Sequence, residues 1–238
     1  MTPRAVFFDV DFTLIYPGPT FRGEGYRRFA FSHGMEVDIS AFDRAVSSAA
    51  PILDDPASPT YDAELFVRYT RHILEQMGAA GEMLDACARE IYGEWAACQH
   101  FELYDDVAPA LRALEAAGVR IALISNSHRC LASFQSHFEL EGLIAGAVSS
   151  SEHGLMKPHP SIFRAALDLV NVAAEDAVMV GDSVRQDVDG AVAAGMRAVL
   201  VNRSPRRHPL ENELAARSIP IVRSLLELRG LWTLGSRL

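Results

Sequence analysis

The chain has 238 residues, 49% hydrophobic and 22% charged, a composition that supports a sizeable core and excludes disorder over most of its length. Its 22 Lys+Arg against 31 Asp+Glu leave a net charge of −9, which argues against nucleic acid or an anionic membrane surface as partner. No apolar run approaches the roughly 20 residues that span a bilayer, none after Arg4 has the length of a secretory h-region, and Cys87, Cys98 and Cys130 show neither a disulfide framework nor zinc spacing, so a reducing cytoplasm is the expected location.

In chain order, the first element is the apolar run 5–8, which stops at Asp9; similar runs recur at 119–124, 145–148, 177–180 and 198–201. Short continuous apolar runs of this kind predict buried parallel strands. Between them lie helical patterns: Leu111 and Leu114, closed by Gly118; Ile162, Phe163, Ala166, Leu167 and Val170, opened by Pro160; and 184–194, closed by Gly195. Strand and helix alternate, so the expected fold is α/β, a doubly wound parallel sheet covered on both faces. From 17 to 100 the rhythm turns helical throughout. Ile39, Phe42, Val46 and Ala49 make one stripe; Leu65, Phe66, Tyr69, Ile73, Leu74 and Met77 a second; Met83, Leu84, Cys87, Ile91 and Trp95 a third, with a long loop expected over 51–60. The expected domains are therefore a core of 1–16 and 101–238 and an inserted all-helical domain of 17–100. An insertion directly after the first strand points to a lid over the carboxyl ends of the strands, where open α/β sheets bind ligands.

Asp9 and Asp11, in Asp9-Val10-Asp11-Phe12-Thr13, follow the first run at its carboxyl end. If the backbone stays extended through Val10 the two carboxylates point the same way and need a cation, or one must hold a proton, a division that suits a nucleophile and an acid/base; a solvated turn is the plainer alternative. Asp182 repeats the pattern after the run 177–180, with Asp187 about one helical turn later. Asp9, the Asp11 carbonyl and Asp182, with Asp187 as a ligand or behind the ligands, would make the hard oxygen site that Mg²⁺ prefers. Ser125 and Asn126 close the strand 119–124 before a helix expected from about Arg129, a place where anions bind and where Ser or Asn also caps helices. Lys157 is the only lysine beside 21 arginines, and its compact ammonium suits a point contact to one phosphoryl oxygen and one carboxylate. Arg203, Arg206, Arg207 and His208 form a basic patch best taken as a solvated loop, Arg22 is taken as an exposed arginine, and His128 and Arg129 are weighed as substrate-facing side chains beside the Ser125 strand end.

In this order D-x-D-x-T, S-N, K-P and G-D-x₄-D resemble the four motifs of the haloacid dehalogenase-like hydrolase superfamily, and the insertion is similar to its type 1 helical cap. The chain looks most like the phosphatase branch. That resemblance implies Asp9 as nucleophile through an aspartyl-phosphate, Asp11 as acid and then base, and Thr13, Ser125, Asn126 and Lys157 around the phosphoryl group. It also implies Mg²⁺ held by Asp9, Asp11, Asp182 and Asp187, and a small phosphate ester as substrate. Phe12 stands where the family commonly has glycine. A phosphomutase, a 2-haloacid dehalogenase and a non-catalytic phosphate-binding or regulatory protein are the alternatives. Asp11 argues against the dehalogenase, whose second motif aspartate is absent, and the lack of lysine in 17–100 argues against a phosphonatase.

Overall fold

Apolar runs of four to six residues can bury both their faces only inside a covered sheet, and they do so in the computed structural model, which describes residues 2–54 and 58–233. β1 (Ala5–Phe8) is buried along its whole length. Two short strands follow, β2 (Ile15–Pro17) and β3 (Phe101–Leu103). The remaining strands are β4 (Arg120–Ser125), β5 (Ile144–Ser149), β6 (Ala177–Gly181), β7 (Arg197–Val201) and β8 (Ile221–Val222). With β1 they build a six-stranded parallel sheet in the order β5-β4-β1-β6-β7-β8. The order runs outward from β1 to β5 and then reverses through β6 to β8, so β1 and its two neighbours form the switch point of a doubly wound sheet.

By contact, the chain divides into two units: one around the sheet, from the segments before Pro17 and after Glu102, and one of Pro17–Glu102. The second holds α1 (Gly23–Ser32), α2 (Phe42–Asp54), α3 (Ala63–Gln76) and α4 (Leu84–Glu94). α3 packs on both α2 and α4, and Phe21, Trp95 and Phe101 meet as an aromatic cluster with ring centroids 4.5 to 5.3 Å apart. The buried face of α2 is Ala45 and Ala49, continuing from Ala41, with Phe42 and Val46 half-buried at its margin and Met83 exposed ahead of α4. α2 also continues through Pro51 to Asp54, later than the expected loop start, giving up only the bond that a proline N–H cannot donate. Residues 55–57 of that loop lie outside the described residues.

In the sheet-bearing unit α5 (Val107–Ala116), α6 (Leu131–His137), α7 (Ser150–His153), α8 (Pro160–Val170), α9 (Gly190–Ala193), α10 (Glu211–Ala216) and α11 (Leu228–Thr233) complete the alternation. α8 shows why it docks. Ile162, Phe163, Ala166, Leu167 and Val170 fall on one face and pack with Ala5, Phe7, Ala122, Ile124, Met179 and Leu200 in one buried cluster. Each large apolar side chain so placed contributes about 1.5–3 kcal/mol of burial. The expected helix 184–194 departs from the regular form: Val184–Asp189 is a π-helical turn, and only Gly190–Ala193 is α-helical.

Candidate active site

Strand register decides which motif residues meet. Phe8 pairs with Leu123 of β4 and with Val180 of β6, and the Asp9 N–H donates to the Val180 carbonyl at 2.9 Å. Asp9, Ser125 and Gly181 therefore leave three adjacent strands at one edge, the carboxyl ends around the switch point. The loop after Asp9 closes on itself at once: the Leu14 and Ile15 N–H groups both donate to the Val10 carbonyl, and the Phe12 N–H donates to the Ile15 carbonyl at 2.7 Å. This turn forces Phe12 to φ +64°, the left-handed region that glycine favours, while its side chain stays 44% exposed. The glycine conformation is kept without the glycine.

Lys157 sits between two carboxylates. Its Nζ donates to Asp9 Oδ1 at 2.5 Å and to Asp187 Oδ1 at 2.6 Å, with the lysine 2% and Asp9 7% exposed. Asn126 sets the lysine's backbone: its Oδ1 accepts from the Lys157 N–H at 2.7 Å, and its Nδ2 donates to the Lys157 carbonyl at 3.0 Å and to Gln186 Oε1 at 3.1 Å. The Asn126 amide is thus committed to another loop. Ser125 is fully buried and donates to Ser127 Oγ at 3.0 Å. Neither residue caps a helix, as the sequence had allowed; α6 begins at Leu131 and the Cys130 thiol accepts from the Ser133 N–H. His159 caps α8.

Asp187 is carried inward by the π turn, with Ser183 capping it at Gln186. Its Oδ2 accepts from the Ser183 N–H at 3.0 Å, so both its oxygens are held. Gly181 makes room: a Cβ there would lie 2.2 Å from the Asp187 Cγ. Asp9, Asp182 and Asp187 offer carboxylate oxygens all within 4.8 Å of one another. Three carboxylates face one ammonium. Burial, opposed by Lys157 and reinforced by Asp187, pushes Asp9 up to about 7, and burial with Asp9 and Asp187 holds Asp182 well above the usual carboxylate range. Burial works against the Lys157 charge, but Asp187 and Asp9 outweigh it and raise its pKa. An all-oxygen cluster short of positive charge fits a hard divalent cation.

Asp11 stands outside that cluster. Both its carboxylate oxygens accept from Nη1 of Arg129 at 3.0 Å, and Arg129 is 1% exposed. The two aspartates of the first motif therefore each have their own cation. Thr13 is buried; its Oγ1 has no hydrogen-bond partner among the described residues, and its carbonyl accepts from Arg203 Nη2 at 2.7 Å. Arg203 corrects the reading of a solvated patch: it also donates to Asp106 at 2.7 Å and lies 4.0 Å over the Tyr104 ring. Arg206 and Arg207 are exposed, as is Arg22. Gln186 and the Arg203–Asp106 tie escaped sequence reasoning, because nothing local to either marks a partner 60 or 97 residues away.

A family model described as haloacid dehalogenase-like hydrolase matches residues 3–195. The chain is 36% identical over 233 residues to a phosphoserine phosphatase of Thermus thermophilus, covering 85% of this chain and 90% of that one. It is 32% identical over 225 residues to the N-acylneuraminate-9-phosphatase of Mus musculus, covering 85% and 84%. Among solved structures, a 2-haloacid dehalogenase from Pseudomonas syringae superposes with a TM-score of 0.64 at 25% identity, covering 98% of this chain and 99% of that one.

Proposed function

Because this chain belongs to the haloacid dehalogenase-like hydrolase family, we propose that it is a Mg²⁺-dependent phosphatase of small phosphate monoesters that works through an aspartyl-phosphate on Asp9. The observation that carries this reading is the pairing pattern: Asp9 is buried on Lys157 among carboxylates, while Asp11 is kept apart on Arg129. The nucleophile and the proton carrier thus have different surroundings, as two displacements require.

In the first displacement an Asp9 oxygen attacks phosphorus, and the ester oxygen departs with a proton from Asp11. In the second, Asp11, now a carboxylate, takes a proton from water as its oxygen attacks phosphorus, which frees Asp9 and phosphate. Lys157 offsets charge on Asp9 and the phosphoryl oxygens, with Ser125, the Asn126 backbone and Thr13 as the remaining contacts. Asp9, Asp182 and the Asp11 carbonyl would hold Mg²⁺, with Asp187 behind them; the ion supplies neutralisation of phosphoryl charge when bound. The helical unit, by its likeness to the family's type 1 cap, is the source of substrate selectivity. Among the described residues no helix is long and apolar enough to cross a membrane, and the cysteine usage supports a cytoplasmic setting.

The test is phosphate release from an aryl phosphate and a panel of small phosphate esters, with Mg²⁺ and with chelator, beside Asp9→Asn. Mg²⁺-dependent release that falls at least about 10³-fold in the variant is expected. Undiminished release from Asp9→Asn would remove Asp9 as nucleophile. Halide release from 2-haloacids in place of phosphate release would turn the reading to the dehalogenase.

A further inference from the structure

Arg129 lies in the loop between β4 and α6, outside the motifs that carry the family resemblance, yet it is among the largest fully buried side chains of the chain. A buried guanidinium is costly unless it is paired, and here a single nitrogen meets both Asp11 oxygens at equal distance, 3.0 Å each. The contact spans 118 residues of sequence and joins the loops that leave two neighbouring strands, β4 and β1. Asp11 itself remains partly exposed, at 19% of its side chain, against 1% for Arg129. One end of the pair is therefore locked in protein while the other faces out.

We propose that Arg129 is a positioning residue for proton transfer: it fixes the rotation of the Asp11 carboxylate so that one oxygen carries the proton to or from the reacting oxygen while the other stays on the guanidinium. The assignment rests on the phosphatase reading above. In this assignment Arg129 acts through Asp11 and not on the phosphoryl group. Its effect therefore depends on how much help the leaving oxygen needs. An aryl oxyanion departs with little proton assistance, an alkoxide only with it.

The experiment compares kcat/KM for p-nitrophenyl phosphate and for an alkyl phosphate in wild type, Arg129→Met and Arg129→Lys, with melting curves for each protein. This parameter ends at phosphoenzyme formation, so the later attack of water does not enter it. Arg129→Met is expected to lower kcat/KM by about 10²-fold on the alkyl ester and by less than about 10-fold on the aryl ester. Arg129→Lys, with charge but without the planar nitrogen set, should fall between. In an Asp11→Asn background, Arg129→Lys should no longer change the alkyl-to-aryl ratio. Equal losses on both esters would mean a phosphoryl contact or a merely structural role, and unchanged rates would mean no role; either overturns the inference. If Arg129→Met does not fold, the ratio for Arg129→Lys decides alone: a shifted ratio that vanishes with Asp11→Asn supports it, and an unshifted one overturns it. Silence of the wild type on both esters overturns the phosphatase reading, and this inference with it.

Discussion

Lys157 is held from two sides at 2.5 and 2.6 Å in a site with almost no exposed surface, so its shape counts as much as its charge. Arg at this position keeps the charge but brings a wider, planar head, and we expect Lys157→Arg to lower turnover at least about 10²-fold, with binding of phosphate also weakened. Steady-state kinetics decide it; a rate near wild type would show that only charge matters. Phe12 makes a different kind of claim. Its left-handed backbone is imposed by the hydrogen bonds of the loop, so φ restricts which side chains suit the position. Phe12→Ile should cost about 1–2 kcal/mol more than Phe12→Asn, because a β-branched residue resists this region and Asn tolerates it. Chemical denaturation of the two variants, with slopes compared, separates them.

At the scale of the element, two glycines predict opposite outcomes for the same substitution. Gly181 ends β6 where Asp187 crosses the backbone, and the added methyl of Gly181→Ala would occupy the Asp187 carboxylate's place. Asp187 cannot yield without releasing Lys157, so a loss of about 1–3 kcal/mol is expected together with most of the activity. Gly93, near the end of α4, has open space around its missing Cβ. Gly93→Ala should therefore raise stability by up to about 1 kcal/mol, since it removes only unfolded-state freedom. Thermal melts of both variants suffice, and a destabilised Gly93→Ala would mean that α4 packs otherwise than described. The π turn belongs to this scale as well. It places Asp187 on the Lys157 ammonium while Ser183 ties the turn at both Gln186 and Asp187, an irregularity of the kind that gathers at functional sites.

For the whole molecule the carboxylate cluster links acidity to stability and, on the proposed function, to cation binding. The Asp9 pKa is raised in the fold from 3.8 to about 7, so the folded state holds its proton more tightly than the unfolded chain. Stability from this group is then complete below about pH 4 and is lost as pH rises towards 7, and Asp182 acts in the same direction. The metal-free protein should melt at a lower temperature at pH 8 than at pH 5, and Asp9→Asn should flatten that slope. If the cluster holds Mg²⁺ as proposed, the ion would bind the ionised carboxylates of the native state, so excess Mg²⁺ should raise Tm more at pH 8 than at pH 5. Melting curves in chelator and in Mg²⁺ at both pH values check it; a Tm indifferent to both would mean that the cluster holds no cation.

Much of the fold was legible before any coordinates, for a definite reason. A parallel strand buried on both faces must be apolar throughout, so β1, β6 and β7 announce themselves as runs ending in Asp9, Asp182 and Asn202, and the face of α8 does so by its spacing. β8, two residues long, leaves no such signal, and a helix capped by Cys130 hides its start. Residue types and order likewise marked Asp9, Lys157 and Asp182 as candidates, because hard-cation and phosphoryl chemistry draw on a small set of side chains. Which of them would touch was another matter. That Asp11 turns to Arg129, that Asn126 spends its amide on the Lys157 backbone and that Arg203 leaves its basic patch for the Thr13 carbonyl depend on partners 118, 31 and 190 residues away. Contacts at such separations obey no local periodicity; they arise only when strand register and helix packing bring distant loops to one edge of the sheet.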